Sequence, residues 1–319
     1  MPAINISVII VNYNTRQLLL DCLHSVVEIT LGIPVEIWVV DNASTDGSVA
    51  EIQSSFPEVH VIANDTNPGF ARANNQALTQ TSGDILLLLN PDTQVRPGAF
   101  AALEQAFDSD AVIGVVGPQV LNPDGSIQPS CGSFASAWTE FLFQTFLFKV
   151  IPSPFPLGTV VHTLQRHQYK NKHDVDWVTG ACLAIRKDVV KRIGMLDEAF
   201  FMYGEDMEWC WRARQAGYKV CYQPAAQVVH YSRQASQRDY RAWISRYTSG
   251  QLRFIGKTRP RTYKFLFGLW ICFGSVLRIV LWTGLRRFFT NRRDEAHQRI
   301  AGYSEALILG WQAVLGRPV

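Results

Sequence analysis

The sequence predicts an α/β fold: an open, mostly parallel central sheet with flanking helices, then a C-terminal helical segment that associates with a membrane. Three observations carry this reading. Short apolar runs alternate with helically spaced ones up to about residue 120, the pattern of βαβ units. The run Ile85-Leu86-Leu87-Leu88-Leu89 reads as a fully buried strand that ends at Asn90-Pro91-Asp92. Composition then changes near Lys257, where basic residues begin to flank an almost charge-free stretch. The expected division is an α/β domain over residues 1–240 and a helical region over 241–319.

Taken in order, residues 6–11 form the first strand and Asn12-Tyr13-Asn14 the turn after it. Residues 17–29 place Leu19, Leu20, Leu23, Val26 and Val27 at helical spacing, and Gly32 and Pro34 end that helix. Residues 35–40 are the second strand. A turn rich in capping residues, Asp41 to Gly47, leads into a helix that reaches about Phe56. Residues 59–62 are the third strand, Asn67-Pro68-Gly69 a turn and residues 71–81 a helix. The Leu-rich run that follows is short enough for a buried helix segment too. Pro91 decides for a strand, because a helix stops before the residue preceding a proline. Asp92 then lies just past the carboxyl end of a central strand, where open α/β sheets bind ligands, or it caps a next helix with Pro97 in its first turn.

Further on, residues 112–116 suit a strand, and Asn122-Pro123-Asp124-Gly125-Ser126 is a hairpin turn. Residues 137–150 suit either a buried helix or a flap that touches lipid, and Pro152-Ser153-Pro154-Phe155-Pro156 breaks them. His162, His167 and His173, in the polar loop beyond, read as solvated. Residues 218–222 and 228–232 read as two strands.

Net charge of only +3 argues against a dedicated nucleic-acid binder, and 47% apolar with 18% charged residues supports a sizeable core. None of the six cysteines forms a C-x-x-C pair, which predicts reduced, mostly buried thiols. The start Met1-Pro2-Ala3 has no basic run before the first strand, so the α/β part is expected to stay in the cytoplasm. A parallel sheet points its carboxyl ends one way, so Asp41 and Asp92 can line one crevice. No G-x-G-x-x-G follows the first strand and no G-x-x-x-x-G-K-[ST] occurs, which disfavours dinucleotide and P-loop sites. A nucleotide held without a glycine-rich loop needs another counter-charge, and a divalent cation on Asp92 would supply it.

The runs Val8-Ile9-Ile10-Val11-Asn12-Tyr13-Asn14, Val39-Val40-Asp41-Asn42-Ala43-Ser44-Thr45-Asp46-Gly47-Ser48, Asn67-Pro68-Gly69-Phe70-Ala71-Arg72-Ala73-Asn74-Asn75 and Leu89-Asn90-Pro91-Asp92-Thr93 resemble glycosyltransferase family 2, most closely its rhamnosyltransferase-like branch. The resemblance covers roughly residues 5 to 235. It implies a Rossmann-like GT-A fold, a nucleotide-sugar donor, Mn2+ or Mg2+, and inversion at the anomeric carbon. It also implies that Asp41 contacts the nucleotide base, and that Val11, Asn12 and Asn74 lie at the donor. Asp92 matches the second aspartate of the family's metal-binding D-x-D, and Asn90 stands at the first, a departure that branch shares.

A second centre spans Asp176 to Arg186 and Gly194 to Arg212. Glu205, Asp206 and Glu208 open a helical pattern, where acids complement the macrodipole. The aromatic lead-in Phe200-Phe201-Met202-Tyr203 goes beyond that need, since a carboxylate beside aromatics can be tuned as a general base. The resemblance places the base at Asp206, with Glu205, Trp177 and Gly180 at the acceptor; His230, at a separation of 230 − 206 = 24, matches the histidine that completes the metal shell in metal-dependent relatives, or is an ordinary structural histidine at a strand end. Arg212 would hold a phosphate or a structural carboxylate, or form an ordinary helix salt bridge. The Q-x-x-R-W motif of processive synthases is absent, which points to transfer of one or a few sugars.

In the C-terminal region, Arg278 interrupts an apolar stretch from Phe265 to Leu285, with basic residues on both sides. A spanning helix needs ~20 apolar residues, and a mid-span arginine is costly. Two amphipathic or re-entrant helices on an anionic membrane, or a helical hairpin packed on the catalytic domain, both fit. The expected activity is transfer of rhamnose from dTDP-rhamnose, or of another sugar from a UDP-sugar. The acceptor would be a saccharide, lipid-linked on polyprenyl diphosphate, in cell-surface polysaccharide synthesis at the cytoplasmic face of the membrane. A non-catalytic GT-A scaffold and a nucleotidyltransferase are the competing classes. Asp92, Asp206 and His230 speak against the first, and the missing phosphate loop against the second.

Overall fold

The computed structural model describes residues 6–29, 35–147, 169–231, 239–288 and 292–318. Along the chain run β1 (Ile6–Asn12), α1 (Arg16–Ile29), β2 (Val35–Asp41), α2 (Ser48–Ser55), β3 (His60–Ala63), α3 (Phe70–Leu78) and β4 (Ile85–Leu89). Then come β5 (Thr93–Val95), α4 (Ala99–Asp108), β6 (Ile113–Leu121), β7 (Cys131–Gly132), α5 (Ala137–Gln144), β8 (His173–Val175), β9 (Trp177–Val178) and β10 (Cys182–Arg186). The chain closes with α6 (Lys187–Ile193), α7 (Glu205–Gln215), β11 (Lys219–His230), α8 (Tyr240–Thr258), α9 (Arg261–Phe288) and α10 (Arg293–Val314). The proline-rich break at 152–156, His162 and His167 lie outside the described residues.

The chain divides into two compact units. One comprises Met1–Gly132, Leu164–Phe201 and Asp206–Tyr231; the other comprises Ser133–Thr163, Met202–Glu205 and Ser232–Val319. In the first unit, strands are ordered β3-β2-β1-β4-β10-β6-β11-β5, and β8 pairs with β11. The four strands from β3 to β4 are parallel, as the alternating pattern requires. Beyond them the sheet is mixed, because β10 runs antiparallel to both β4 and β6. That reversal brings the start of β10 beside the end of β4, with Cys182 opposite Leu89.

Period-two alternation sorts the strand residues. Ile6, Val8 and Ile10 of β1 and Ile85, Leu87 and Leu89 of β4 share a core with Leu19, Cys22, Leu23 and Val26 of α1, Ile52 of α2 and Leu103 of α4. Their neighbours Ile9, Leu86 and Leu88 are just as buried, so β4 is covered on both faces, which is why it reads as an unbroken apolar run. The next helix after Asp92 starts at Ala99 with Gly98 at its N-cap, so Asp92 does not cap it. Two boundaries differ from the sequence reading. β6 continues through Gly117-Pro118 to Leu121, and residues 219–230 form one strand, with a register shift between Gln223 and Gln227 that accommodates Pro224. His173 lies in β8 opposite Tyr222 rather than in a loop.

In the second unit, a capping box between Ser136 and Thr139 starts α5, which favours the helix over the flap for residues 137–144. α9 is a single 28-residue helix through Arg278, not two helices broken there. It is long and apolar enough to cross a membrane by length and composition, with a mean hydropathy of 2.0 over its most apolar window. α9 and α10 run antiparallel, since Lys264 Nζ donates to Arg317 O at 3.0 Å and Cys272 meets Leu307 O at 3.7 Å. Gly268 and Gly310 let the backbones touch: a Cβ at Gly268 would stand 2.7 Å from Gly310 O.

Candidate active site

β1 and β2 end in register, with Asn12 opposite Asp41. Asn12 Nδ2 donates to Asp41 Oδ1 at 2.7 Å, and the Ser44 amide donates to Asp41 Oδ2 at 2.8 Å. Both residues are buried, at 0% and 2% exposure, so the carboxylate is fixed rather than free to swing. Asn14 and Ala43 adopt positive φ of 53° and 63°. Such backbone is held only where surroundings over-determine it. Here Asn14 N donates to Ser44 Oγ and Asn14 Oδ1 accepts from Thr45 N, each at 2.8 Å. Val11 is buried one residue before Asn12. Asn74, 1% exposed on α3, donates to Phe70 O at 2.9 Å, and its Oδ1 is buried without a hydrogen-bond partner.

Asn90 and Asp92 leave the end of β4, and His230 ends β11 opposite Thr93. His230 Nε2 lies 3.1 Å from Asp92 Oδ1 and 3.5 Å from Asn90 Nδ2. On its far side His230 Nδ1 meets Gln128 Oε1 at 2.7 Å. Gln128 Nε2 donates to Asn122 Oδ1 at 2.8 Å and to His230 O at 3.3 Å, which orients its amide with Oε1 toward the imidazole. Nδ1 therefore carries a proton, and Nε2 faces a carboxylate oxygen. Two acceptors at that distance require a proton or a cation between them. Two ligand atoms about 2.1 Å from one ion at a right angle are roughly 3.0 Å apart, so the pair fits a divalent cation. An oxygen and an imidazole nitrogen are ordinary ligands, and the hydrogen bond from Nδ1 is the usual support for a metal-binding histidine. Among the described residues, no group of three or more His, Cys, Asp or Glu gathers at one point.

Asp206 sits at the second position of α7. Its Oδ2 accepts from Gly180 N at 2.9 Å and its Oδ1 from Met207 N at 2.8 Å. Asn90 N donates to Ala181 O at 2.9 Å, so the loop before β10 joins the Asn90–Asp92 loop to the residue that holds Asp206. Asn12, Asp41, Asn90, Asp92, Gly180 and Asp206 thus lie at one end of the sheet, the carboxyl end of its parallel strands. A Cβ at Gly180 would lie 3.4 Å from the Phe70 ring and 3.6 Å from the Asp206 Cβ, so α3 also reaches this corner. Gly69 holds it there. At φ 91° it packs so closely that a Cβ would stand 2.6 Å from Phe201 O, and Phe70 N donates to that same oxygen at 2.7 Å.

Trp177 is half-buried in β9, opposite Gly132. Glu205 opens α7 immediately before Asp206 and is 4% exposed. Arg212 resolves to a structural role. Its Nε and Nη2 fork onto Glu208 at 2.8–3.0 Å, and Nη1 and Nη2 donate to the carbonyls of Ile193 and Met195 at 2.5 and 2.8 Å. Its donors are committed within the protein, which removes the phosphate-holding role. Gln128 and the Gly69–Phe201 contact were missed in the sequence; a lone glutamine after a hairpin turn carries no motif. All six cysteines are free thiols, five of them buried.

The sequence model described as glycosyl transferase family 2 matches residues 7–194, more than half of the chain. An N-acetylglucosaminyl-diphospho-decaprenol L-rhamnosyltransferase of Mycobacterium tuberculosis is 28% identical over 218 residues, which cover 65% of this chain and 69% of the relative. The low-salt glycan biosynthesis hexosyltransferase Agl10 of Haloferax volcanii is 26% identical over 238 residues, 71% of this chain and 67% of that one. In structure the chain is similar to the mannosyltransferase PcManGT of Pyrobaculum calidifontis, solved with GDP-Man and Mn2+, at a TM-score of 0.57 and 18% identity over 96% of this chain and 86% of that one. The mixed sheet with its carboxyl-end cluster is a GT-A fold, and the chain is a glycosyltransferase that belongs to family 2.

Proposed function

We propose that the protein is an inverting, divalent-metal-dependent transferase. It would move a sugar, rhamnose from dTDP-rhamnose first and a sugar from a UDP-sugar second, onto a saccharide carried by a polyprenyl diphosphate at the cytoplasmic membrane face. The observation that carries the reading is the pair of backbone bonds, Asn90 N to Ala181 O and Gly180 N to Asp206 Oδ2, which tie the Asp92 loop to the Asp206 carboxylate at one end of the sheet. The rhamnosyl and diphospho-decaprenol terms in the name of the mycobacterial relative support the donor and acceptor classes.

At the donor end, Asp41, Asn12 and Val11 would border the nucleotide, and the unpartnered Oδ1 of Asn74 would accept a donor group from it. Asp92 and His230 would hold the metal, with Asn90 beside them, and Mn2+ or Mg2+ bound there would supply positive charge opposite the diphosphate. Asp206 takes the proton from the acceptor hydroxyl. The two backbone N–H groups fix its orientation. The freed oxygen attacks the anomeric carbon from the face opposite the nucleotide, and the nucleoside diphosphate leaves with the bonding pair. Trp177, Gly180 and Glu205 would border the acceptor, with Gly180 contributing through Asp206.

The test is transfer from a panel of nucleotide sugars to a synthetic N-acetylglucosaminyl-diphosphate lipid with Mn2+. Product from dTDP-rhamnose supports the reading, product only from UDP-sugars supports the second donor, and no transfer from any donor overturns it.

A further inference from the structure

The second unit carries a partly open cavity of ≈ 80 Å³ that shares no residue with the carboxyl-end cluster. Aromatic rings wall it. Trp243 and Tyr247 stack at 5.8 Å between centroids with 20° between their planes, and Phe143 and Tyr303 also line it. Gln251 contributes a side chain only 8% exposed. Its Nε2 donates to Tyr247 Oη at 2.6 Å, and its Oε1 is buried without a hydrogen-bond partner. Leaving a buried acceptor unmade is costly, which marks a position where a ligand completes the bond. Turning the amide over would leave its NH2 unmade instead, so the missing group donates in one orientation and accepts in the other. A hydroxyl does both.

The charged groups at this cavity narrow the ligand further. Arg278 is committed: Nη1 donates to Gln144 Oε1 at 2.6 Å and Gly274 O at 3.1 Å, and Nη2 donates to Phe143 O at 3.2 Å. It does not present a free fork to a phosphate. Glu140, 6% exposed, accepts from Gln144 Nε2 at 2.5 Å, and burial pushes its carboxyl up to about 7. A carboxyl so placed supplies no positive charge to a phosphate, and offers a donor when protonated and an acceptor when ionised to a hydroxyl. Flat aromatic walls with a few convergent polar groups match the alternating apolar faces and hydroxyl edges of a pyranose.

We infer that this cavity, built by Trp243, Tyr247, Gln251, Glu140 and Tyr303, is a second saccharide-binding site that takes one edge of a neutral sugar ring, the rest of the ring lying in its open mouth. That a unit of the acceptor glycan occupies it rests on the proposed activity; the existence of the site does not. The test is saturation-transfer NMR on the full chain with methyl α-L-rhamnopyranoside, methyl α-D-mannopyranoside, methyl β-D-glucopyranoside and methyl N-acetyl-β-D-glucosaminide, each without nucleotide. The expected result is transfer to at least one glycoside that weakens at least tenfold in Gln251→Leu and in Trp243→Ala and persists in Asp92→Ala. Trp243 is 36% exposed, so its variant reads the site even if Gln251→Leu fails to fold. Signal lost in Asp92→Ala but kept in Trp243→Ala overturns the inference, as does tetramethylammonium binding that Trp243→Ala removes while every glycoside stays silent. If no glycoside binds while transfer from a nucleotide sugar proceeds, the second site falls and the transferase reading stands.

Discussion

Gly180 donates its backbone N–H to Asp206 Oδ2 at 2.9 Å, and that bond points the carboxylate of α7 toward the end of the sheet where Asp92 lies. An asparagine at 206 keeps an oxygen for Gly180 but cannot take a proton. Asp206→Asn is expected to lower turnover about 10²- to 10⁴-fold while donor affinity stays near wild type. Single-turnover transfer assays and calorimetric donor titration check both halves; wild-type turnover would remove Asp206 from the base role.

Gln128 is expected to act on metal affinity through His230. Gln128→Leu removes the acceptor for Nδ1–H, freeing the imidazole to rotate or change tautomer. Loss of such a supporting bond weakens metal binding about 10- to 100-fold. Mn2+ titration followed by electron paramagnetic resonance reads this without turnover, and Asp92→Ala should weaken binding more. An unchanged titration in both variants would exclude this pair as the metal site.

Arg212 holds Glu208, whose side chain is 6% exposed, and three carbonyls before α7. Arg212→Leu leaves a buried carboxylate without its cation, which costs about 3–5 kcal/mol. Urea unfolding should show the loss, and Arg212→Lys should recover only part of it, because an ammonium cannot make the forked contact. Stability equal to wild type in Arg212→Leu would contradict the structural role.

Glu140 predicts a pH dependence with a definite sign. Burial raises its carboxyl from 4.5 to about 7, so the folded protein binds this proton more tightly than the unfolded chain does. The contribution is full below the unfolded value, falls as pH rises from about 4.5 to about 7, and levels off above, a total of roughly 3 kcal/mol. Glu140→Gln lacks this slope. Unfolding free energies measured at pH 5 and 7.5 should show wild type losing stability relative to the variant, and a constant difference would argue against the buried carboxyl.

The outer face of α9 predicts membrane binding. Phe273, Val276, Val280 and Leu281 are 51%, 49%, 65% and 46% exposed, at helical spacing, with Arg286 and Arg287 beyond them. The double variant Phe273→Ser, Val280→Asp should weaken co-sedimentation with vesicles containing anionic lipid by at least tenfold, since each apolar side chain withdrawn from water contributes about 1.5–3 kcal/mol. Binding unchanged in the double variant would move the contact elsewhere.

Much of this was written locally. The alternation of runs before residue 120 dictates the parallel strands, because a two-residue period and a 3.6-residue period bury different faces. Pro91 forces the chain out of β4 and sets Asp92 at a strand end whatever the rest of the molecule does. Family membership also lay in contiguous motifs. What the sequence could not decide were relations between distant residues. The antiparallel insertion of β10 brings Ala181 to Asn90, and the end of β11 brings His230 to Asp92, at separations that leave no local trace. Gln128 acquires meaning only from the imidazole it meets. Arg278, which reads as an obstacle in an apolar helix, is inward-facing and hydrogen-bonded to carbonyl oxygens, because packing chooses the face a side chain presents. Local pattern determines which element forms; long-range packing decides which atoms converge, and the chemistry depends on the second.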